Sequence, residues 1–179
     1  MASDSDISLS ALPFIPYISD DGQLPDDLNK VGIYAIFNAD KVLQFVGYSR
    51  DIGLSLKQHL IRCPQDCHWL KAHTIERPKR STLEAIEAAW VAEDGAVPPG
   101  NRDGETIWTE PVDAKLQMTA DEQATYAKAP GELEQMKTLK RVARRVEEAI
   151  ATQIQARGLK EQIRFDPKLK EQGLLGVKP

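Results

Sequence analysis

The sequence predicts a small α/β domain of the α+β kind, a three-stranded antiparallel sheet flanked by helices, with a long C-terminal helix and a charged tail. Three observations carry this. Val31–Asn38 and Val42–Gly47 are rich in β-branched and aromatic residues and are joined across Asn38-Ala-Asp-Lys, which reads as a hairpin. Helical stripes alternate with a third apolar run: one helix reaches to about Arg62, residues 68–76 suit a strand, and Leu83, Ile86 and Trp90 mark the next helix. Met136, Leu139, Ala143, Val146, Ile150 and Ile154 then recur at steps of three and four, as in a helix from about Gly131 to Arg157.

Each element has local signals. Asp51 is placed to cap the first helix, and Pro64 helps to end it. Ser81 with Glu84 spells a capping box for the second, and Gly95 with "VPPGN" stops it. Glu132 and Glu134 in the first turn of the long helix oppose its dipole, and Gly158 supplies the stop. The chain divides into an extended segment (1–29), an α/β domain (30–101), a turn-rich linker (102–130) with at most one short strand around Ile107, and the C-terminal helix and tail (131–179). Within the first segment residues 1–12 read as a mobile polar tail, and Phe14, Ile15 and Tyr17 as anchors.

Composition narrows the function. At 179 residues, with 41% hydrophobic and 28% charged residues, the chain has room for one real core. A net charge of −4 argues against indiscriminate coating of nucleic acid. No apolar run approaches the roughly 20 residues of a membrane span. Asp4 and Asp6 without a Lys or Arg near them do not make a secretory or transit leader, and two cysteines do not make a disulfide framework. The expected compartment is the cytoplasm.

Two triplets invite comparison, "GIY" at residues 32–34 and "FVG" at residues 45–47. With the strand order they resemble the GIY-YIG nuclease family over about residues 30–101, and the whole chain is similar to cyanobacterial and plastid proteins carrying such a domain. The resemblance implies a vestigial site of Tyr34, His59 and Asn101, with Glu87 as the metal ligand and Mg²⁺ or Mn²⁺ as cofactor if the site is active. Tyr34, Phe45, Ser55, His59 and Glu87 should then share one concave surface. Two departures stand out: Phe45 replaces the family's second tyrosine, and Ser55 stands where the family has arginine. A phosphoryl transition state needs a preorganised cation, and removing one such group costs about 10²–10³ in rate. The expected role is therefore a degenerate, non-catalytic module binding protein or nucleic acid. A weak metal-dependent DNA endonuclease, with Arg77 or Arg80 replacing the lost arginine, is the alternative.

Other clusters carry competing readings. His59, Cys63, Cys67, His68 and His73 hold every cysteine and histidine of the chain, which suits either zinc or an ordinary helix end followed by a strand. Lys137, Lys140, Arg141, Arg144 and Arg145 on the long helix form either a solvated face or a surface for phosphate or an acidic partner. The same helix permits a homodimer.

Overall fold

A computed structural model describes residues 6–179. Its main sheet has four strands in the order β1 (Ile15–Pro16), β4 (Trp69–Thr74), β2 (Gly32–Phe37), β3 (Leu43–Ser49), and every pairing is antiparallel. The α+β class is as expected. The fourth strand is the short β1, drawn from the proline-bearing segment, where Ile15 pairs with Leu70. Central β2 is buried along its whole length and alternates between two cores, as a period of two requires. Tyr34 and Ile36 point to one face, Ile33, Ala35 and Phe37 to the other.

Helix α1 (Ile52–Arg62) covers the Tyr34 face, with Asp51 capping it by accepting from the Leu54 amide at 3.0 Å. Helix α5 (Glu132–Ala156) lies in the same core through Val142, Ala143, Val146, Ile150 and Ile154. That apolar stripe is thus spent inside the chain, and Gly158 ends the helix with φ 96°. Helix α2 (Arg80–Asp94) covers the opposite face through Leu83, Ile86 and Trp90, and its last turn closes on Gly95 at φ 89°.

Several local expectations are corrected. The Ser81–Glu84 box does not form: Lys79 is the N-cap, and Glu84 instead pairs with Arg80 at 2.7 Å. A capping box sits further on, where Thr119 and Glu122 open α4 (Ala120–Lys128). Ile107 lies in a short helix, α3 (Glu105–Thr109), because the glutamate and Trp108 there favour a turn docking onto α1 over a strand. The tail from residue 159 is tied down by α6 (Pro167–Lys170) and by β6 (Leu174–Leu175), which pairs with β5 (Val112–Asp113). Of the expected mobile N-terminal tail, residues 1–5 lie outside the described residues, whereas Leu9 is buried against the α2 core.

The stretch just after α5 docks on the first half of the chain. Arg157 donates to the carbonyls of Pro64 and Cys67, the Lys160 amide donates to Gly22 O at 2.9 Å, and Lys57 pairs with Glu161 at 2.7 Å. Among the described residues no helix is long and apolar enough to cross a membrane.

Candidate functional site

Hairpin β2–β3 sets Tyr34 opposite Gly47, and α1 brings His59 over the pair. A side chain at 47 would put Cβ 2.6 Å from the Phe45 ring and 3.3 Å from the Tyr34 hydroxyl, so glycine there is a packing requirement. Tyr34 Oη and His59 Nε2 share a hydrogen bond of 2.7 Å. Around them the aromatics close the space. Phe45 lies 4.7 Å from the His59 ring and stacks on Trp108 with centroids 5.4 Å apart and planes within 2°. What the triplets mark is a filled aromatic core.

Electrostatics follow from that burial. The Tyr34 phenol is pushed up by desolvation, with Ser55 and Arg62 pulling partly the other way. His59 is pushed down to about 3 by burial and by the nearby Arg62 cation. A neutral imidazole hydrogen-bonded to a protonated phenol is stable at neutral pH but is no proton carrier there. The unfolded chain takes up a proton at His59 near pH 6.5, while the native chain does so only near 3. Stability is therefore fully present above 6.5 and declines as pH falls toward 3. We expect a falling urea midpoint between pH 7 and pH 4.5 that is flattened in His59→Gln, which keeps a hydrogen bond to Tyr34 without a titrating ring. Parallel curves for the two proteins would contradict the assignment.

The remaining expected residues do other work. Ser55 donates to Ser49 Oγ at 2.8 Å, within the turn that starts α1. Asn101 brackets edge strand β3: its Oδ1 accepts from the Val46 amide at 2.8 Å and its Nδ2 donates to Val46 O at 2.7 Å. It thus satisfies one residue's worth of open sheet edge. Glu87 stands on α2, across the sheet from α1, and reaches only a groove of about 640 Å³ at the β3 edge, beside Phe45, Gly47, Glu84 and Glu105. Half-burial and those two carboxylates push its pKa up. It has no hydrogen bond or ion pair among the described residues. Of the five residues expected on one concave surface, Tyr34, Phe45 and His59 pack together, and Ser55 is half-buried at the start of α1. Glu87 lies in the acidic groove that Phe45 also borders, near enough to help raise the Tyr34 phenol.

Two site residues went unremarked in the sequence. Trp108 is the lid of the aromatic cluster, and the available signal was a large aromatic inside a polar stretch. Arg62 is the guanidinium beside Tyr34 and His59, but its Nη1 is tied to Trp108 O at 2.9 Å. It lies one turn beyond His59, on the same side of α1. Arg80 is exposed on its Glu84 pair, and Arg77 is exposed. Among the described residues no group of three or more His, Cys, Asp and Glu is arranged to hold a metal. On the long helix, Lys137, Lys140 and Arg145 pair with Glu134, Glu171 and Glu122, which leaves Arg141 and Arg144 exposed without an ion pair among the described residues.

Comparison with known proteins corrects the family resemblance. No family model matches the chain. A relative among curated proteins is a bifunctional monothiol glutaredoxin, chloroplastic, of Arabidopsis thaliana, 34% identical over 88 residues. The match takes in 47% of this chain and 30% of that relative's length. The nuclease-derived reading, as a degenerate GIY-YIG module and as an endonuclease, is overturned by a relative named for glutaredoxin activity. Physically, the triplets were weak evidence. Glycines at 32 and 47 and aromatics at 34 and 45 are what a closely packed hairpin needs, whatever its chemistry.

Proposed function

We propose that the chain is a non-catalytic accessory module that engages a protein partner in a glutaredoxin-type setting and performs no thiol chemistry itself. The state of its two thiols carries this reading. Cys63 and Cys67 are both buried. Burial, with Asp66 adding to it, pushes Cys63 up to about 12, and burial raises Cys67 as well. Exchange requires the thiolate, whose fraction at pH 8 for such a thiol is on the order of 10⁻⁴. Nor does the wholly antiparallel sheet offer the βαβ unit and C-x-x-C turn of a thioredoxin-like site.

The relative is bifunctional and the likeness spans a minor part of it, which supports the shared segment being something other than the thiol-bearing part. A protein partner is favoured over nucleic acid because the open groove is rimmed by Glu84, Glu87 and Glu105, and most of the basic run on α5 is already paired. A heterologous partner is favoured over a homodimer, since the α5 stripe packs inward. The body of this module is residues 30–101, with 131–179 buttressing it, in a reducing cytoplasm. No divalent metal is part of the proposal.

The test has two arms. The folded chain at pH 8 should leave both cysteines unlabelled by an aromatic disulfide reagent over the time in which the urea-unfolded chain reacts fully. It should also stay at background in a glutathione-coupled disulfide reduction assay. Titration calorimetry against a separate monothiol glutaredoxin should show saturable one-to-one binding. Turnover in the reduction assay, or no heat on titration, would overturn the reading.

A further inference from the structure

The segment before β1 is fastened on two sides by different chemistry. On the inner side two buried donors use its carbonyls. The Trp90 indole N–H donates to Ile7 O at 2.8 Å, and the buried Lys71 ammonium donates to Leu9 O at 3.0 Å. Leu9 is buried beneath, and Phe14 follows as an anchor, its ring 4.3 Å from Lys71 Nζ and 4.8 Å from Lys41 Nζ. On the outer side one exposed carboxylate gathers the segment's donors. Glu93 accepts from Ser8 Oγ at 2.7 Å, from the Leu9 amide at 2.8 Å and from the Ser10 amide at 2.8 Å. Ser10 Oγ completes the set, 2.8 Å from Ser8 Oγ. The hydroxyls of Ser10 and Ser8, with the two amides, hold Glu93 down to about 2, so it is charged at neutral pH.

This arrangement is asymmetric. The inner contacts lie out of reach, whereas Ser8, Ser10 and Glu93 meet at the surface. We infer that residues 7–12 form a releasable strap over the α2 face, and that phosphorylation of Ser8 opens it. The reaction transfers the γ-phosphoryl group of a nucleoside triphosphate. A bond forms from Ser8 Oγ to phosphorus, the bond to the bridging oxygen of the diphosphate breaks, and the hydroxyl proton is released. A donor 2.7 Å from Glu93 is thereby replaced by a group of charge about −1.5 to −2, against a fixed carboxylate. The two amides cannot hold the carboxylate against that repulsion. Release uncovers the Trp90 edge and the apolar ground between α2 and the sheet, so the strap governs access to a surface distinct from the groove at the β3 edge.

The experiment uses the full chain with phosphoserine installed at position 8. Hydrogen exchange at the Leu9 and Ser10 amides should accelerate at least about tenfold over the unmodified chain, as expected for losing a charge-assisted contact and gaining a repulsion. Acrylamide quenching of tryptophan should rise with it. Ser8→Ala, which removes one donor without adding charge, should give less than about a threefold change. In a Glu93→Gln background, compared with the same variant unphosphorylated, the phosphate should have less than about a threefold effect, because the carboxylate charge that repels it is gone and only one of the two accepting oxygens remains. Unchanged exchange on phosphorylation would overturn the inference. So would equal acceleration with and without the Glu93 charge.

Discussion

Replacing Trp108 by alanine is expected to destabilise the protein by about 3–5 kcal/mol, the usual cost of removing a buried aromatic where the surroundings cannot collapse. The indole is buried, stacks flat on Phe45 and touches the His59 ring at 5.5 Å. Its carbonyl, which anchors Arg62, is retained in the variant, so the loss isolates the ring itself. Urea unfolding should show a lowered midpoint with an unchanged slope. Water reaching His59 should also lift its pKa from about 3 toward 6.5, readable from the imidazole proton resonances. A cost below about 1 kcal/mol, with His59 still neutral at pH 5, would mean that the aromatic cluster is not what seals the Tyr34 core.

Gly32→Ala should be the second severe change. A Cβ at this position would stand 2.2 Å from His73 O and 2.8 Å from Thr74 Cα, both backbone atoms of β4. Neither can turn aside as a side chain would, so β2 must slide against β4 in the middle of the sheet. Overpacking of this kind costs typically about 1–3 kcal/mol, and the upper end is expected where backbone is the obstacle. Gly131→Ala is the matched control: nothing lies within 4 Å of its added Cβ, and its φ of 172° is open to any residue. As the N-cap of α5 the control should lose no more than about 1 kcal/mol, the difference between glycine and alanine at a helix start. Equal effects at both positions would show that the sheet tolerates the added methyl.

These two positions also show what the sequence disclosed. Strong periodicities were legible: the hairpin, α1 with its Asp51 cap, the α2 stripe and nearly the whole of α5 follow from local pattern and punctuation. Elements that depend on distant partners were not. Strand β1 is two residues long and exists only because β4 offers an edge, and α3 forms where Trp108 finds Phe45 across the fold. At the site, residue types were read well and their meaning poorly. Tyr34 and His59 do meet, but Glu87 approaches from across the sheet, and Asn101 serves backbone instead of chemistry. Glycines and aromatics that pack a hairpin tightly are the same letters that a catalytic hairpin uses, so burial was needed to separate the two.

The docking of residues 157–161 on the first half of the chain sets a timetable for folding. Gly22 waits for Lys160, Lys57 for Glu161, and the turn at Pro64 for Arg157. Synthesis proceeds at about 5–20 residues per second, so an interval on the order of ten seconds separates the emergence of the first partners from the last. Once β4 has emerged the sheet and α1 are complete, yet the Val142–Ile154 stripe that roofs their core is still missing. The nascent chain therefore presents an uncovered apolar layer until α5 has emerged, and closure of such sequence-distant contacts is slow even afterwards. Ribosome-bound chains halted near residue 130 should engage chaperones far more strongly than chains halted after a further linker has let α5 emerge.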